Sequence, residues 1–118
     1  HLQLNTQMQT LFTQLSNSYP VYILSNFQDK PFDKLYSNHP FLHKQSGMII
    51  SAKENMMKPE LDIYKLLLDR FNLDANKTVF IDDRIENIDA CRTCQIHGIH
   101  FTDYNSCCSE LVELGVKI

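Results

Sequence analysis

The chain has 118 residues, 43% hydrophobic and 21% charged, with a formal net charge of -3. This suits one globular domain, and the slightly acidic balance supplies no basic field to hold a nucleic-acid backbone. No apolar run is long enough for a membrane-spanning helix and the opening residues lack the pattern of a secretory signal, so no nucleic-acid or membrane partner is expected and a cytoplasmic location is.

From Thr6 to Ser16, Met8, Leu11, Phe12 and Leu15 recur at helical spacing, which predicts a helix with one buried face. Val21 to Leu24 is a nearly continuous apolar run, expected of a strand covered on both faces, and Ser25 and Asn26 follow it directly. Residues 28–45 read as a short helix or irregular connection anchored by Phe32, Leu35 and Tyr36 and broken at Pro40. Gly47 to Ser51 predicts a second strand, and Ala52 to Met57 a loop. Lys58 then opens a helix, with Pro59 in the first turn and Leu61, Tyr64, Leu67, Leu68 and Phe71 as its buried stripe. A turn over residues 73–77 leads to a strand from Thr78 that ends in Asp82 and Asp83.

Ile85, Ile88, Cys91 and Cys94 mark the next helical stripe, with Glu86 and Asp89 near the surface. A last strand is expected from Ile96 to Phe101, in which Gly98 would permit close approach of a neighbouring loop. A last helix, Tyr104 to Leu114, would start at Asn105 or Ser106 and stop at Gly115. The alternation of strands and helices predicts a parallel α/β sheet with strands ending near Leu24, Ser51, Asp82 and Phe101.

The cysteines are Cys91, Cys94, Cys107 and Cys108. Cys91 and Cys94 have zinc-ligand spacing, with His97 and His100 downstream, yet they also fall on a helical stripe where small apolar residues pack. Reduced, structural thiols are the expectation.

The chemistry gathers at strand ends. Open α/β sheets bind ligands at the carboxyl ends of their strands, where Ser25, Asn26, Asp82 and Asp83 all stand. Two adjacent carboxylates repel unless a cation or donors neutralise them, and their oxygens suit magnesium rather than zinc. Lys58, disfavoured by the dipole at a helix amino end, fits beside an anion, although a solvated lysine satisfies the pattern too. Ser25 and Asn26 would hold an anion or serve as ordinary turn and cap residues. Arg84 and Asn87 would orient the carboxylates or close the site.

Three stretches, VYILSN ending at Asn26, KPELDIY from Lys58 and VFIDDRIENIDAC from Val79, resemble the second, third and fourth motifs of the haloacid dehalogenase-like hydrolases. The resemblance is to the branch with small-molecule phosphatases and the amino-terminal phosphatase domain of soluble epoxide hydrolases. It implies a Rossmann-like parallel sheet and magnesium-dependent hydrolysis of a small phosphorylated molecule through an aspartyl-phosphate. Ser25 and Asn26 would bind the phosphoryl group, and Lys58, as a catalytic residue, would bridge it to the nucleophile. Asp83 would ligate Mg2+, Asp82 would support it from behind, and Asn87 would fix the loop.

The family's first strand carries Asp-x-Asp, and that pattern occurs nowhere in the 118 residues. Residues 1–118 are thus expected to form a partial core domain, without the first central strand or the cap domain, weak or lacking in Mg2+ binding and inactive alone. The flanking strands would face a slot of roughly 10 Å, to be closed by direct pairing or by a strand from another copy or another polypeptide. Gln95 replaces the glycine common in relatives. The alternatives are a noncatalytic phosphate-binding or protein-interaction domain that has lost the nucleophile and, less favoured by the paired aspartates, a dehalogenase-type hydrolase.

Overall fold

The computed structural model describes residues 6–25, 29–54 and 56–118. In chain order its elements are α1 (Thr6–Ser16), β1 (Tyr22–Ser25), α2 (Asp29–Asn38), β2 (Gly47–Ile50), α3 (Ser51–Glu54), α4 (Leu61–Arg70), β3 (Val79–Asp82), α5 (Ile85–Thr93), β4 (His97–His100) and α6 (Tyr104–Glu113). A 3-10 turn, Pro40–Lys44, takes up the break expected at Pro40. The side chain of Phe32 lies outside the described residues, and Leu35 and Tyr36 are half-buried.

The strands form two parallel pairs. Tyr22 to Ser25 run in register with Gly47 to Ile50, and Val79 to Asp82 with His97 to His100. Among the described residues no ladder joins one pair to the other. This is an incomplete Rossmann-like sheet, and direct pairing of its halves is not how it closes.

What joins the halves is a shared layer of helices. Ile49 of β2, Ile63, Tyr64 and Leu67 of α4, and Ala90 and Cys91 of α5 form one buried cluster, against which Tyr22 and Leu24 of β1 and Phe80 of β3 pack. The opposite face of β3 and β4 is closed by a second cluster of Leu11, Ile99, Cys107 and Leu111, with Val79 and Ile81 against it. The two-residue period of a strand explains the division: Val79 and Ile81 face α1 and α6, while Phe80 and Asp82 face the other way.

Three helices end alike. After α4, α5 and α6 the chain turns through Asn72 (φ 54°), Gln95 (φ 65°) and Gly115 (φ 90°). In each, the next amide reaches back into the last turn: Leu73 to Leu68 O at 2.8 Å, Ile96 to Cys91 O at 3.1 Å and Val116 to Leu111 O at 3.0 Å. These are Schellman ends, each with an apolar residue folded onto the helix it terminates. Glycine suits such a position because it has no Cβ, which gives the physical sense of the Gln95 departure.

Several boundaries differ from expectation. β2 stops at Ile50, and Ser51 begins the one-turn helix α3 where a loop was expected, held by a two-pronged Glu54–Arg70 ion pair at 2.6 and 2.9 Å. α4 starts at Leu61, so Lys58 and Pro59 lie in the preceding turn, joined by a cis peptide bond. The buried residues of α4 are Ile63, Tyr64 and Leu67, and Leu61, at its first position, is exposed. Ile85 is also exposed, being the first residue of α5 and beyond the end of the core. Gly98 approaches a helix rather than a loop: a Cβ there would lie 2.8 Å from Ile88 Cγ2 and 2.9 Å from Cys91 Sγ. α6 is capped by Asp103, whose carboxylate accepts from the Ser106 amide at 2.8 Å, not by Asn105 or Ser106.

Candidate active site

Asp82 is the last residue of β3 and points toward the α4 and α5 side. Its Oδ2 accepts from Lys58 Nζ at 2.7 Å and from Asn87 Nδ2 at 3.2 Å, and its Oδ1 accepts from the Arg84 amide at 2.9 Å. The Lys58 and Asp82 side chains are only 12% and 8% exposed, so the ion pair is shielded rather than a surface bridge.

The polar contacts close into a ring through aromatic ones. Lys58 Nζ sits 5.6 Å from the centre of the Phe80 ring, and Phe80 meets Tyr64 edge to face at 5.4 Å. The Tyr64 hydroxyl donates to Asn87 O at 3.1 Å, and the Asn87 amide returns to Asp82. Phe80 and Asp82 share a face because they are two apart on a strand. Tyr64 comes from α4 and Asn87 from α5, so both helices are fastened to the end of β3.

Burial acts to raise the pKa of Asp82, but the Lys58 ammonium and the hydrogen bonds from Lys58 and from the Arg84 amide outweigh it and hold the carboxyl below its ordinary range. Burial, and secondarily the Asp82 charge, push the Tyr64 phenol up, so it remains a neutral donor. Asp82 is therefore an ionised anchor with both oxygens engaged.

Asp83 is exposed and has left the strand. Its carbonyl accepts from His100 Nε2 at 2.9 Å. Asn87 orients Asp82 as expected, whereas Arg84 contributes its backbone amide and turns its guanidinium to Glu86 at 2.7 Å. Ser25 ends β1 and is 5% exposed; Asn26 lies outside the described residues. Lys58, Asp82 and Asn87 are thus brought together, with Asp83 next in the chain.

His97 and His100 are engaged by the carbonyls of Asn76 and Asp83, each at 2.9 Å, and Cys91 is fully buried beside α4. Burial pushes the Cys91 and Cys107 thiols up to about 11 and about 12, as befits packed thiols. Among the described residues no three His, Cys, Asp or Glu side chains form a group able to hold a metal. The donors at the end of β3 nonetheless fit magnesium as part of a site. Asp83 offers an exposed carboxylate, and magnesium commonly takes one or two carboxylates and fills its octahedron with phosphate and water.

Sequence reasoning missed Tyr64 as a hydrogen-bonding support and His100 as a partner of Asp83. The usable signal for His100 in the sequence was its place near the end of the last strand; its register with Asp82 comes from the structure.

The profile of the haloacid dehalogenase-like hydrolases matches residues 1–101. A sesquiterpene phosphatase, astK, of Aspergillus oryzae (strain ATCC 42149 / RIB 40) is 32% identical over 114 residues, which are 96% of this chain and 58% of that protein. A drimenol cyclase, drtB, of Aspergillus calidoustus is 25% identical over 96 residues, 81% of this chain and 18% of that one. The chain therefore spans less than two thirds of either relative. Among solved structures, a HAD family enzyme from Bacteroides thetaiotaomicron in a magnesium complex superposes with a TM-score of 0.76 at 25% identity, over 86% of this chain and 54% of that one. With its motif-bearing strand ends, its parallel strand pairs and a match over most of its length, the chain belongs to the haloacid dehalogenase-like hydrolases.

Proposed function

We propose that the chain forms the phosphate- and magnesium-binding half of a phosphatase of the small-molecule branch that includes the amino-terminal domain of soluble epoxide hydrolases. The observation that carries this reading is the shielded Lys58–Asp82 pair, braced by Asn87 and the Arg84 amide, beside the exposed Asp83. Asp82 takes one of the three N-H donors of Lys58 and fixes the ammonium at the strand end, where it would neutralise a phosphoryl oxygen and the attacking carboxylate. Ser25 and Asn26 would hold the phosphoryl group from the end of β1. Asp83 would bind magnesium, which supplies charge neutralisation of the phosphate when bound.

The attacking carboxylate would arrive on a strand with Asp-x-Asp seated between β1 and β3, from another segment or another polypeptide, since a second copy of these residues holds no Asp-x-Asp. The whole of residues 1–118 then acts as a partial core domain, in a cytoplasmic protein. Asp82 is unsuited to attack, since both its oxygens are held by N-H donors.

The substrate class proposed is an isoprenoid phosphate, after the sesquiterpene phosphatase relative. Met57 and Ile85, the neighbours in sequence of Lys58 and Arg84, are 50% and 46% exposed, which fits a substrate with an apolar body beside its phosphate. One observation favours a second reading, a noncatalytic phosphate-binding or interaction domain: no Asp-x-Asp occurs in the 118 residues.

The two readings separate when the first half of the Aspergillus oryzae relative is fused ahead of this chain. Magnesium-dependent release of phosphate from a farnesyl phosphate, lost in Lys58→Ala and Asp83→Asn, is the expected result. A folded fusion that binds inorganic phosphate without turnover would support the noncatalytic domain instead.

A further inference from the structure

The parallel ladder between β3 and β4 extends one bond past the strands, from the Phe101 amide to Asp82 O at 2.8 Å. Beyond that point the backbone of Asp83 leaves the sheet, and no further main-chain rung follows among the described residues. His100, the register partner of Asp82, supplies a rung from its side chain: Nε2 lies 2.9 Å from Asp83 O. A carbonyl oxygen only accepts, so Nε2 carries the proton, in the neutral ring as in the charged one. Gly98, two residues back on the same face, lets β4 lie close against Ile88 and Cys91 of α5.

On the other side of the same peptide, the Arg84 amide is held by Asp82 Oδ1 at 2.9 Å. The Asp83–Arg84 peptide is thus gripped at both its oxygen and its nitrogen, while the carboxylate of Asp83 stays exposed. This is how a ligand side chain is aimed: its backbone is fixed and its oxygens are presented outward.

We propose that His100 is a positioning residue that fixes the peptide of Asp83 and so aims the magnesium-binding carboxylate; this rests on the reading of Asp83 given above. It makes no contact with substrate or metal in this role. Its effect is to keep a single backbone orientation where the sheet's own ladder has run out.

The test uses the 118-residue chain as wild type, His100→Ala, His100→Gln and Asp83→Asn. Amide hydrogen exchange in the metal-free chain is expected to be about five- to tenfold faster at Arg84 in His100→Ala, the worth of one hydrogen bond, with α1 and α6 unchanged. Magnesium affinity, titrated with the metal alone into the same variants carried in the fusion that supplies Asp-x-Asp, should fall about tenfold in His100→Ala. Glutamine, which keeps an N-H donor at similar reach, should restore most of both. Unchanged exchange at Arg84, or acceleration spread evenly over the chain, would overturn the positioning role. So would an unchanged magnesium affinity in His100→Ala when Asp83→Asn weakens it. If Asp83→Asn leaves magnesium binding untouched, the assignment of Asp83 as ligand fails, and this proposal falls with it.

Discussion

The first strand of each pair is less buried than the second. Ile49, Ile50 and Ile99, on β2 and β4, are nearly or fully buried, whereas no hydrophobic residue of β1 or β3 is. A parallel sheet ordinarily buries its central strands on both faces, and β1 and β3 have the apolar sequences of such strands. The contrast is that β1 and β3, although suited to the middle of a sheet, each carry an unpaired edge among the described residues. A sheet completed between β1 and β3 would remove it. The strand ends differ as well: β3 ends in a ring of contacts drawn from α4 and α5, while β1 ends in Ser25.

The sharpest way to test the inequality of those ends is by activity in a fusion that supplies Asp-x-Asp. Lys58→Ala is expected to lower kcat about a thousandfold, as loss of a charged transition-state donor does. Ser25→Ala, which removes a neutral donor, should lower it only about tenfold. Equal losses would break the comparison.

Next in size is the stability of the braced end. Asp82→Ala removes the carboxylate that faces the shielded Lys58 ammonium and is expected to destabilise the chain by about 3 kcal/mol in urea unfolding. The pH dependence has a fixed sign. The folded-state pKa of Asp82 is depressed, so its contribution is present above the ordinary carboxylate value near about 4 and is lost as pH falls through the lower folded value. Asp82→Asn should flatten the acid limb of the stability curve, and a limb as steep as wild type would count against the pair.

Gly98→Ala tests the packing that sets β4 against α5. Its Cβ would press on Ile88 and Cys91, both fully buried, and the expected loss is about 2 kcal/mol by thermal unfolding. The smallest effect runs the other way. Gln95→Gly relieves a left-handed residue at the end of α5 and should stabilise by about 1 kcal/mol, seen as a higher Tm.

Much of this was legible in the residues. Asp82 and Asp83 close an apolar run, which fixes them at a strand end, and Asn87 follows at a spacing that returns it to the first carboxylate. The placement of Lys58 before α4, rather than in it, was not legible, because proline suits either a first turn or the residues leading to one. The stripe of α4 was legible at Tyr64, Leu67, Leu68 and Phe71; only its first turn differs, where Ile63 and not Leu61 meets the core. His100 was hidden by its own versatility, since a histidine near cysteines has the spacing of a metal ligand until the strand register places it beside Asp83. The separation of the two strand pairs follows from contacts distant in sequence, which no local pattern encodes.

The most direct test of the account is hydrolysis of a small aryl phosphate with magnesium by the purified 118-residue chain, beside its Asp83→Asn variant. The account predicts no turnover by either, because neither supplies a carboxylate placed to attack phosphorus. Turnover by the wild-type chain that vanishes in Asp83→Asn would contradict it, and would require a nucleophile among these residues.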